Sequence, residues 1–377
     1  MTTSNSSTSN ALNNSVSLNK IPTTVVTGFL GSGKTTLLAN LLKKAKGKRI
    51  AVIMNEFGEL DIDSELLRSC PFDEESGCEG DGAELVGGED GIYELANGCI
   101  CCTVEEEFLP VMKKLVERRD QIDHILIETS GLALPKPLVQ AFNWPGIKEY
   151  CTVDAVITLV DGPAIAAGRF AADEDKVKEQ RALDESLDHD PSLQELLDDQ
   201  LNSADLVVVS KSDLLTEEEQ ARVKAVIEKR VPSSVKTAYI NNGDVPLDVL
   251  IGINAGTEKT IDKVHNHHDH HHAHGAHHDH AHDHFDSMVI SLGTVDADKL
   301  KVSVEKLLNE FNLFRIKGFA AVENKPMRQV LQAVGKRLEV HFDRLWEATE
   351  TPKTELVLIG KGLDEAAVIA ILKSAEV

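Results

Sequence analysis

A phosphate-binding loop constrains the fold of this chain more than any other feature of its sequence. Residues 28–35 read Gly-Phe-Leu-Gly-Ser-Gly-Lys-Thr and satisfy the pattern G-x-x-x-x-G-K-[ST]. The β-branched run from Thr23 to Thr27 precedes the loop, and a leucine-rich helical pattern from Thr35 to Lys44 follows it. This order of strand, glycine-rich turn and helix predicts an α/β fold with the loop at the carboxyl edge of a parallel sheet.

The alternation of apolar strands and helices continues through the N-terminal part of the chain. Further strands are predicted at residues 49–54, 124–127, 155–160, 204–209 and 237–240, and helices at residues 105–119 and 217–230. Such alternation is typical of a mostly parallel sheet that helices cover on both faces. Residues 70–92 are acidic and rich in glycine, and we predict a mobile loop there.

A histidine-rich segment divides the chain into two folded parts. It holds 12 histidines among the 20 residues from His265 to His284, and this composition cannot form a packed core. We predict a disordered tail at residues 1–20, a nucleotide-binding domain at 21–262, a linker at 263–285 and a small α+β domain at 286–377. The C-terminal domain is predicted to have strands at 288–292, 313–322 and 355–359, a strand pair at 327–343 and helices at 298–310 and 363–374.

The charge balance argues against several classes of partner. With 39 basic and 62 acidic side chains, the formal net charge is −23, which disfavours binding to nucleic acid and to anionic membranes. No apolar stretch approaches the ~20 residues of a membrane span, and residues 1–20 lack the apolar core of a secretory signal. We therefore expect a cytoplasmic protein with reduced thiols, in which clustered cysteines favour metal over disulfides.

The residues of the phosphate-binding loop have separate expected roles. The glycines allow backbone N–H groups to close around the phosphates, Lys34 adds a positive charge near the β- and γ-phosphates, and the Thr35 hydroxyl is a ligand for Mg²⁺. A glycine-rich turn without a ligand would explain neither Lys34 nor Thr35. The predicted phosphate-binding residues are Gly28, Gly31, Ser32, Gly33, Lys34, Thr35 and Thr36.

Residues 210–213, Ser-Lys-Ser-Asp, follow a predicted strand and resemble the guanine-binding pattern N-K-x-D. Asp213 can accept two N–H bonds from the edge of guanine, which adenine does not offer, and Lys211 is the second expected contact. Ser210 stands where the pattern has asparagine, so this position keeps a hydroxyl and loses one amide contact. Because Ser and Asp are also common helix caps, a simple helix start is the alternative.

Two acidic residues at predicted strand ends are candidates for the γ-phosphate side of the site. Glu128 can bind a water in the Mg²⁺ shell, and Gly131 can donate its N–H near the γ-phosphate. Glu56 is a candidate metal ligand within a segment, residues 55–58, that could sense the γ-phosphate as a switch. Lys34 and Glu128 are the predicted catalytic residues, and a solvated strand terminus is the alternative for either acid.

Half of the six cysteines lie in one four-residue window, at Cys99, Cys101 and Cys102. Gly98 gives the backbone the freedom to bring these thiolates to one ion, and thiolates suit Zn²⁺ as well as Co²⁺. Two thiolates completed by other ligands make a site open enough to pass its metal on. Burial as small apolar side chains is the alternative, and it is what we expect for Cys151.

The histidine-rich segment is a second candidate for metal binding. Neutral imidazole binds Zn, Cu, Ni and Co, so capture of divalent cations by this segment would be unselective and dependent on pH. A solubilising spacer is the alternative, and a purification tag is disfavoured because the segment is internal and irregular.

Taken in order, these motifs resemble the CobW family of P-loop GTPases. They are GFLGSGKT at 28–35, NEFG at 55–58, GCICC at 98–102, IETSG at 127–131 and SKSD at 210–213, and the resemblance covers about residues 21–377. The segments LALPKP at 132–137, AFNWP at 141–145 and VDG at 160–162 resemble the branch that serves cobalamin biosynthesis. Ser210 and the acidic insertion at 70–92 depart from the family pattern.

The resemblance implies GTP- and Mg²⁺-dependent binding of Co²⁺ at Cys99, Cys101 and Cys102, and delivery of that ion to cobaltochelatase. GTP hydrolysis would release the metal, and intrinsic hydrolysis should be slow because no Arg or Gln is evidently placed to speed it. The alternatives are a zinc chaperone of the same design, a metal buffer based on the histidine-rich segment, and a small-molecule kinase. A nucleotide- or metal-dependent dimer is a further expectation.

Overall fold

The computed structural model describes residues 20–55, 84–86, 92–95, 108–171, 173, 177, 192–253, 255–259, 285–347 and 349–377. Within these ranges the strands are β1 Ile21–Thr27, β2 Arg49–Asn55, β3 Glu84–Leu85, β4 Ile92–Leu95, β5 His124–Glu128, β6 Cys151–Asp161, β7 Leu206–Ser210, β8 Lys236–Tyr239, β9 Asp286–Leu292, β10 Thr294–Val295, β11 Leu313–Val322, β12 Met327–Val334, β13 Arg337–Leu345 and β14 Thr354–Gly360. The α-helices are α1 Lys34–Lys44, α2 Leu109–Glu117, α3 Pro135–Ala141, α4 Gly162–Ala166, α5 Leu193–Asn202, α6 Glu217–Glu228, α7 Leu247–Leu250, α8 Ala297–Glu310 and α9 Glu365–Lys373.

The first sheet contains eight strands, and every described pairing in it is parallel. Its order is β3-β2-β5-β1-β6-β7-β8, with β4 also paired to β2. Because parallel strands end at the same edge, the residues that follow β1, β5 and β7 come together there. The predicted α/β fold with a mostly parallel sheet is confirmed.

The prediction of a loop throughout residues 70–92 is wrong in its last part. Strand β3 pairs with β2 at Arg49 and Ile50, and β4 pairs with the same strand from Val52 to Asn55. A two-residue strand and a four-residue strand are too short to give a readable apolar period, so their pairing partner decides their conformation. Residues 56–83 and 87–91 lie outside the described residues.

The core lies on both faces of this sheet, because alternate residues of a strand point to opposite sides. Val26 of β1 packs in a cluster with Leu38 of α1, whereas its neighbour Val25 packs in a second cluster with Met112 of α2. Cys151, at the start of β6, is fully buried in the second cluster, and burial raises the pKa of its thiol to about 12. The prediction that Cys151 is a core residue is therefore confirmed.

The C-terminal sheet has the order β13-β12-β11-β14-β9, and these neighbours are antiparallel, while β10 pairs parallel to β11. Leu300 and Val304 of α8 and Val368 of α9 are buried in one apolar cluster with this sheet. The predicted α+β character of this part is confirmed. None of the helices within the described ranges combines the length and the apolar content that crossing a membrane requires.

The two sheets are joined by a buried contact. Phe314 and Ile359 of the C-terminal sheet share an apolar cluster with Leu250, which follows the N-terminal sheet in sequence. The guanidinium of Arg315 is buried beside them and donates to the carbonyl of Ile251 over 2.6 Å, and also to those of Asp248 and Gly252. The C-terminal sheet is therefore held against the N-terminal domain by direct packing as well as by the chain that links them.

Candidate functional site

The phosphate-binding loop runs from the end of β1 to the start of α1. Gly28, Gly31 and Gly33 have φ values of 138°, 76° and 95°, in the region that favours glycine. A Cβ on Gly28 would lie 2.2 Å from the carbonyl oxygen of Leu159 in β6, so a side chain has no room there. The loop is thus a glycine-dependent turn held against strand β6, as the motif predicts.

Helix α1 begins in a way that leaves its N-terminus open to an anion. Its N-cap residue is Gly33, which offers no side-chain cap, so the first N–H groups of the helix have no side-chain acceptor from that position. The helix dipole adds partial positive charge at the same place. Ser32 is buried, and its Oγ atom has no hydrogen-bond partner among the described residues. This arrangement fits a phosphate group.

Lys34 places a positive charge inside the loop. Its Nζ donates to the carbonyl oxygens of Gly28 at 2.8 Å and Phe29 at 3.2 Å, and only 7% of the side chain is exposed. These two carbonyls hold the Lys34 ammonium group inside the turn that would bind the phosphate. Thr36 is exposed on the first turn of the same helix.

The residues predicted to hold Mg²⁺ lie together. The Thr35 hydroxyl donates to Oε1 of Glu128 over 3.0 Å, which joins the first turn of α1 to the end of β5. Hydroxyl and carboxylate oxygens are the ligands that Mg²⁺ prefers, so this pair fits that ion. The structure therefore brings Thr35 and Glu128 to one point, although 93 positions separate them in sequence.

The loop that follows β5 packs directly on the phosphate-binding loop. Gly131 is buried, and a Cβ at this position would lie 2.7 Å from the backbone nitrogen of Leu30. At the start of the loop, the Thr129 N–H donates to the carbonyl of Val26 over 3.0 Å. Gly131 is thus packed against the phosphate-binding loop, and its role as a donor to the γ-phosphate stays a prediction.

The segment predicted to recognise guanine contacts the phosphate-binding loop. Lys211 has a left-handed φ of 56°, and its Nζ donates to the carbonyl of Gly31 over 3.0 Å and pairs with the buried carboxylate of Asp161. Asp213 is exposed, and its backbone N–H donates to Oδ1 of Asn241 over 2.9 Å. Ser210 donates through its hydroxyl to the carbonyl of Val160 over 3.2 Å. The segment is therefore anchored to the phosphate-binding loop and leaves the Asp213 side chain at the surface.

The comparison with known families agrees with this geometry. Residues 22–237 match the family described as "CobW/HypB/UreG, nucleotide-binding domain", and residues 285–376 match "Cobalamin synthesis protein cobW C-terminal domain". The chain belongs to the CobW family. It is accordingly a P-loop GTPase, and the resemblance stated from the motifs is confirmed.

Named relatives of this CobW-family chain align along nearly its whole length. It is 53% identical over 358 residues to "Zinc chaperone CobW" from Pseudomonas aeruginosa, which covers 95% of this chain and 92% of the relative. It is 47% identical over 355 residues to "Zinc chaperone CobW" from a Sinorhizobium species, with coverages of 94% and 96%. "Zinc chaperone YjiA" from Escherichia coli is 29% identical over 363 residues, with coverages of 94% and 98%.

The predicted metal ligands of this CobW-family protein, Cys99, Cys101, Cys102 and Glu56, lie outside the described residues. The strands that lead to them are described. Asn55, the last residue of β2, is the register partner of Leu95, the last residue of β4, and Met54 is the partner of Glu128. The chain thus leaves the sheet toward both segments at the edge that carries Glu128. In the described part of the chain, no group of three or more His, Cys, Asp or Glu side chains could hold a metal ion.

Two residues that contact the predicted guanine-binding segment, Asp161 and Asn241, were not predicted from the sequence. Asp161 caps α4 by accepting the Ala164 N–H over 2.9 Å and also holds Lys211. An acid directly before Gly-Pro is a helix-start signal and could have identified this cap. Asn241 accepts from both the Ser212 hydroxyl and the Asp213 N–H, and no local pattern predicts that pairing, because 28 positions separate Asn241 from Asp213.

Proposed function

We propose that this GTPase is a metal chaperone that binds a divalent transition ion through Cys99, Cys101 and Cys102 when GTP and Mg²⁺ are bound. The observation that supports the proposal is the shared sheet edge. Asn55 and Leu95 end neighbouring strands there, and Glu128 ends the next one. In this proposal, a change at the γ-phosphate acts two strand spacings, about 10 Å, from the strand that enters the cysteine motif, because β2 lies between β5 and β4.

The nucleotide-binding residues have separate roles in this proposal. Lys34 and the open N-terminus of α1 bind the phosphates, and Thr35 with Glu128 holds Mg²⁺, whose charge offsets that of the phosphates. In this proposal, the N–H of Gly131, on the loop that packs against Leu30, donates to the γ-phosphate. Loss of that phosphate removes a contact on the loop after β5, and this lowers the affinity of the cysteine site for the metal ion. The coupling is reciprocal, so the metal tightens GTP binding by the factor by which GTP tightens metal binding.

Zinc is the cargo that we propose. Relatives aligned over 92% and 96% of their own length are named zinc chaperones, and a thiolate set binds Zn²⁺ more tightly than Co²⁺ in the general affinity order. Delivery of Co²⁺ to cobaltochelatase, which the family resemblance implies, stays a prediction. The nucleotide- or metal-dependent dimer also stays a prediction, as do the domain bounds at 21–262 and 286–377.

A metal titration tests this function. In the presence of Mg²⁺ and a non-hydrolysable GTP analogue, the protein should bind one Zn²⁺ about 10- to 100-fold more tightly than without nucleotide, the range typical of coupled sites. Equal affinities in the two states would overturn the proposal. Competition between Zn²⁺ and Co²⁺ at the same site identifies the cargo.

Deletion of residues 265–284 should leave the one tight site intact, whereas a histidine-based buffer would lose most of its capacity.

Replacing Asp213 by asparagine tests the guanine assignment. The substitution exchanges an acceptor for a donor, so GTP should bind about 100-fold more weakly, since hydrogen bonds to a charged group contribute about 1.5–3 kcal/mol each. Xanthosine triphosphate should gain affinity, because its C2 carbonyl can accept from the new amide. Competition of both nucleotides against a fluorescent GTP analogue measures the change. The matched control is Asp244→Asn, which removes an exposed carboxylate paired with Lys44 and should leave both affinities unchanged.

A further inference from the structure

Helix α5 contains a buried glutamine, Gln200, that donates hydrogen bonds to the loop after β5. Gln200 is fully buried, and its Nε2 donates to the carbonyl oxygens of Gly131 and Ala133, each over 3.2 Å. Its backbone carbonyl accepts from the Thr158 hydroxyl of β6 over 2.8 Å. One residue therefore ties the central sheet to the loop that follows β5.

Gly131 is consequently held from two sides. On one side its α-carbon is so close to Leu30 of the phosphate-binding loop that a Cβ would approach the Leu30 nitrogen to 2.7 Å. On the other side its carbonyl is bonded to Gln200, 69 positions further along the chain. The bond from Gln200 fixes the peptide plane between Gly131 and Leu132, and the packing against Leu30 limits the rotation that would redirect the N–H of Gly131.

Packing alone does not explain an amide at this position. Leu196 and Leu197, one helical turn before Gln200 in α5, belong to an apolar cluster that also includes Phe29 of the phosphate-binding loop. A methionine would fill similar space there without placing polar atoms in an apolar cluster. The Oε1 atom of Gln200 has no hydrogen-bond partner among the described residues, which is unfavourable for stability. What the amide contributes is the pair of bonds donated to the loop.

We propose that Gln200 is a positioning residue for GTP hydrolysis, which holds the Gly131 loop in the orientation that meets the γ-phosphate. The inference rests on the proposed location of the γ-phosphate beside Gly131. Gln200 touches neither the nucleotide nor the reacting atoms in this role. It acts through the loop backbone, and it couples the orientation of that loop to α5.

The test is Gln200→Met, which keeps the approximate volume and removes both donors. Single-turnover hydrolysis of GTP should slow by about 10- to 100-fold, because a displacement of about 1 Å at a reacting group costs about 100-fold in rate. GDP affinity should stay unchanged, because GDP lacks the γ-phosphate that the loop meets. The matched control is Val223→Ala, which loosens the same apolar cluster from helix α6 and should leave the hydrolysis rate of the folded protein unchanged.

The outcomes separate the inference from the function on which it rests. The positioning role would be overturned if Gln200→Met hydrolysed GTP at the wild-type rate. An equal loss of GTP and GDP affinity in this variant would also overturn it. If the wild-type protein itself hydrolyses no GTP, the proposed function fails instead. Should Gln200→Met reduce the folded fraction, Gln200→Asn replaces it, since the shorter amide cannot reach both carbonyls, and the same slow hydrolysis with normal GDP affinity is expected.

Discussion

Replacement of Lys34 by alanine is expected to weaken GTP binding by about 100-fold or more. A charged hydrogen bond contributes up to about 3 kcal/mol, which corresponds to about 100-fold in affinity. The lysine is buried in the loop and bonded to the carbonyls of Gly28 and Phe29, so its charge is poorly replaced by water. Calorimetric titration with GTP and with GDP in the presence of Mg²⁺ measures the loss, and hydrolysis should fall with binding.

The control for Lys34 is another lysine of the same helix. Lys44 lies at the C-terminal end of α1 and pairs with Asp244 at the surface. Lys44→Ala should bind GTP like the wild type. If Lys34→Ala also binds GTP with wild-type affinity, the assignment of residues 28–35 as the phosphate site is wrong.

The double substitution Cys101→Ala and Cys102→Ala should weaken metal binding in the GTP state by about 10,000-fold or more. Structural zinc sites with four ligands bind with about 10–16 kcal/mol, or roughly 3 kcal/mol per ligand, and two ligands are removed here. Competition with a chromophoric chelator, in the presence of Mg²⁺ and a non-hydrolysable GTP analogue, measures the affinity. GTP binding without metal should stay unchanged, since none of the nucleotide residues is altered.

A matched pair of cysteines outside the motif serves as the control. Cys70→Ala with Cys78→Ala removes the same number of thiols from the acidic insertion and should retain the tight site. Retention of full metal affinity by the Cys101 and Cys102 variant would show that another group, such as the histidine-rich segment, holds the metal.

Local patterns predicted much of this molecule because they report short-range preferences. The turn at residues 28–35 needs glycines at fixed offsets, and the apolar runs of β1 and β5 identify buried strands without knowledge of their neighbours. Polar residues at the ends of these strands could be assigned to one edge, because parallel strands share it. The contact between Thr35 and Glu128 follows from that rule.

The unpredicted contacts join residues that no pattern relates. Asp161 meets Lys211 across 50 positions, and Gln200 meets Gly131 across 69. Strands β3 and β4 were likewise missed, because their conformation depends on pairing with β2 and their sequences are too short to show a period. Contacts of these kinds depend on the sheet, which brings elements that are remote in sequence close together.

Residue types at fixed spacing were enough to predict the nucleotide loop and the family, and the composition of the histidine-rich segment was enough to predict two folded parts. Tertiary structure alone decided how the site is held: Lys211 against Gly31 and Asp161, the loop at Gly131 between the phosphate-binding loop and Gln200, and the C-terminal sheet against the first domain through Arg315. The physical reason is that these contacts depend on distances between elements remote in sequence, and only strand pairing and core packing set those distances.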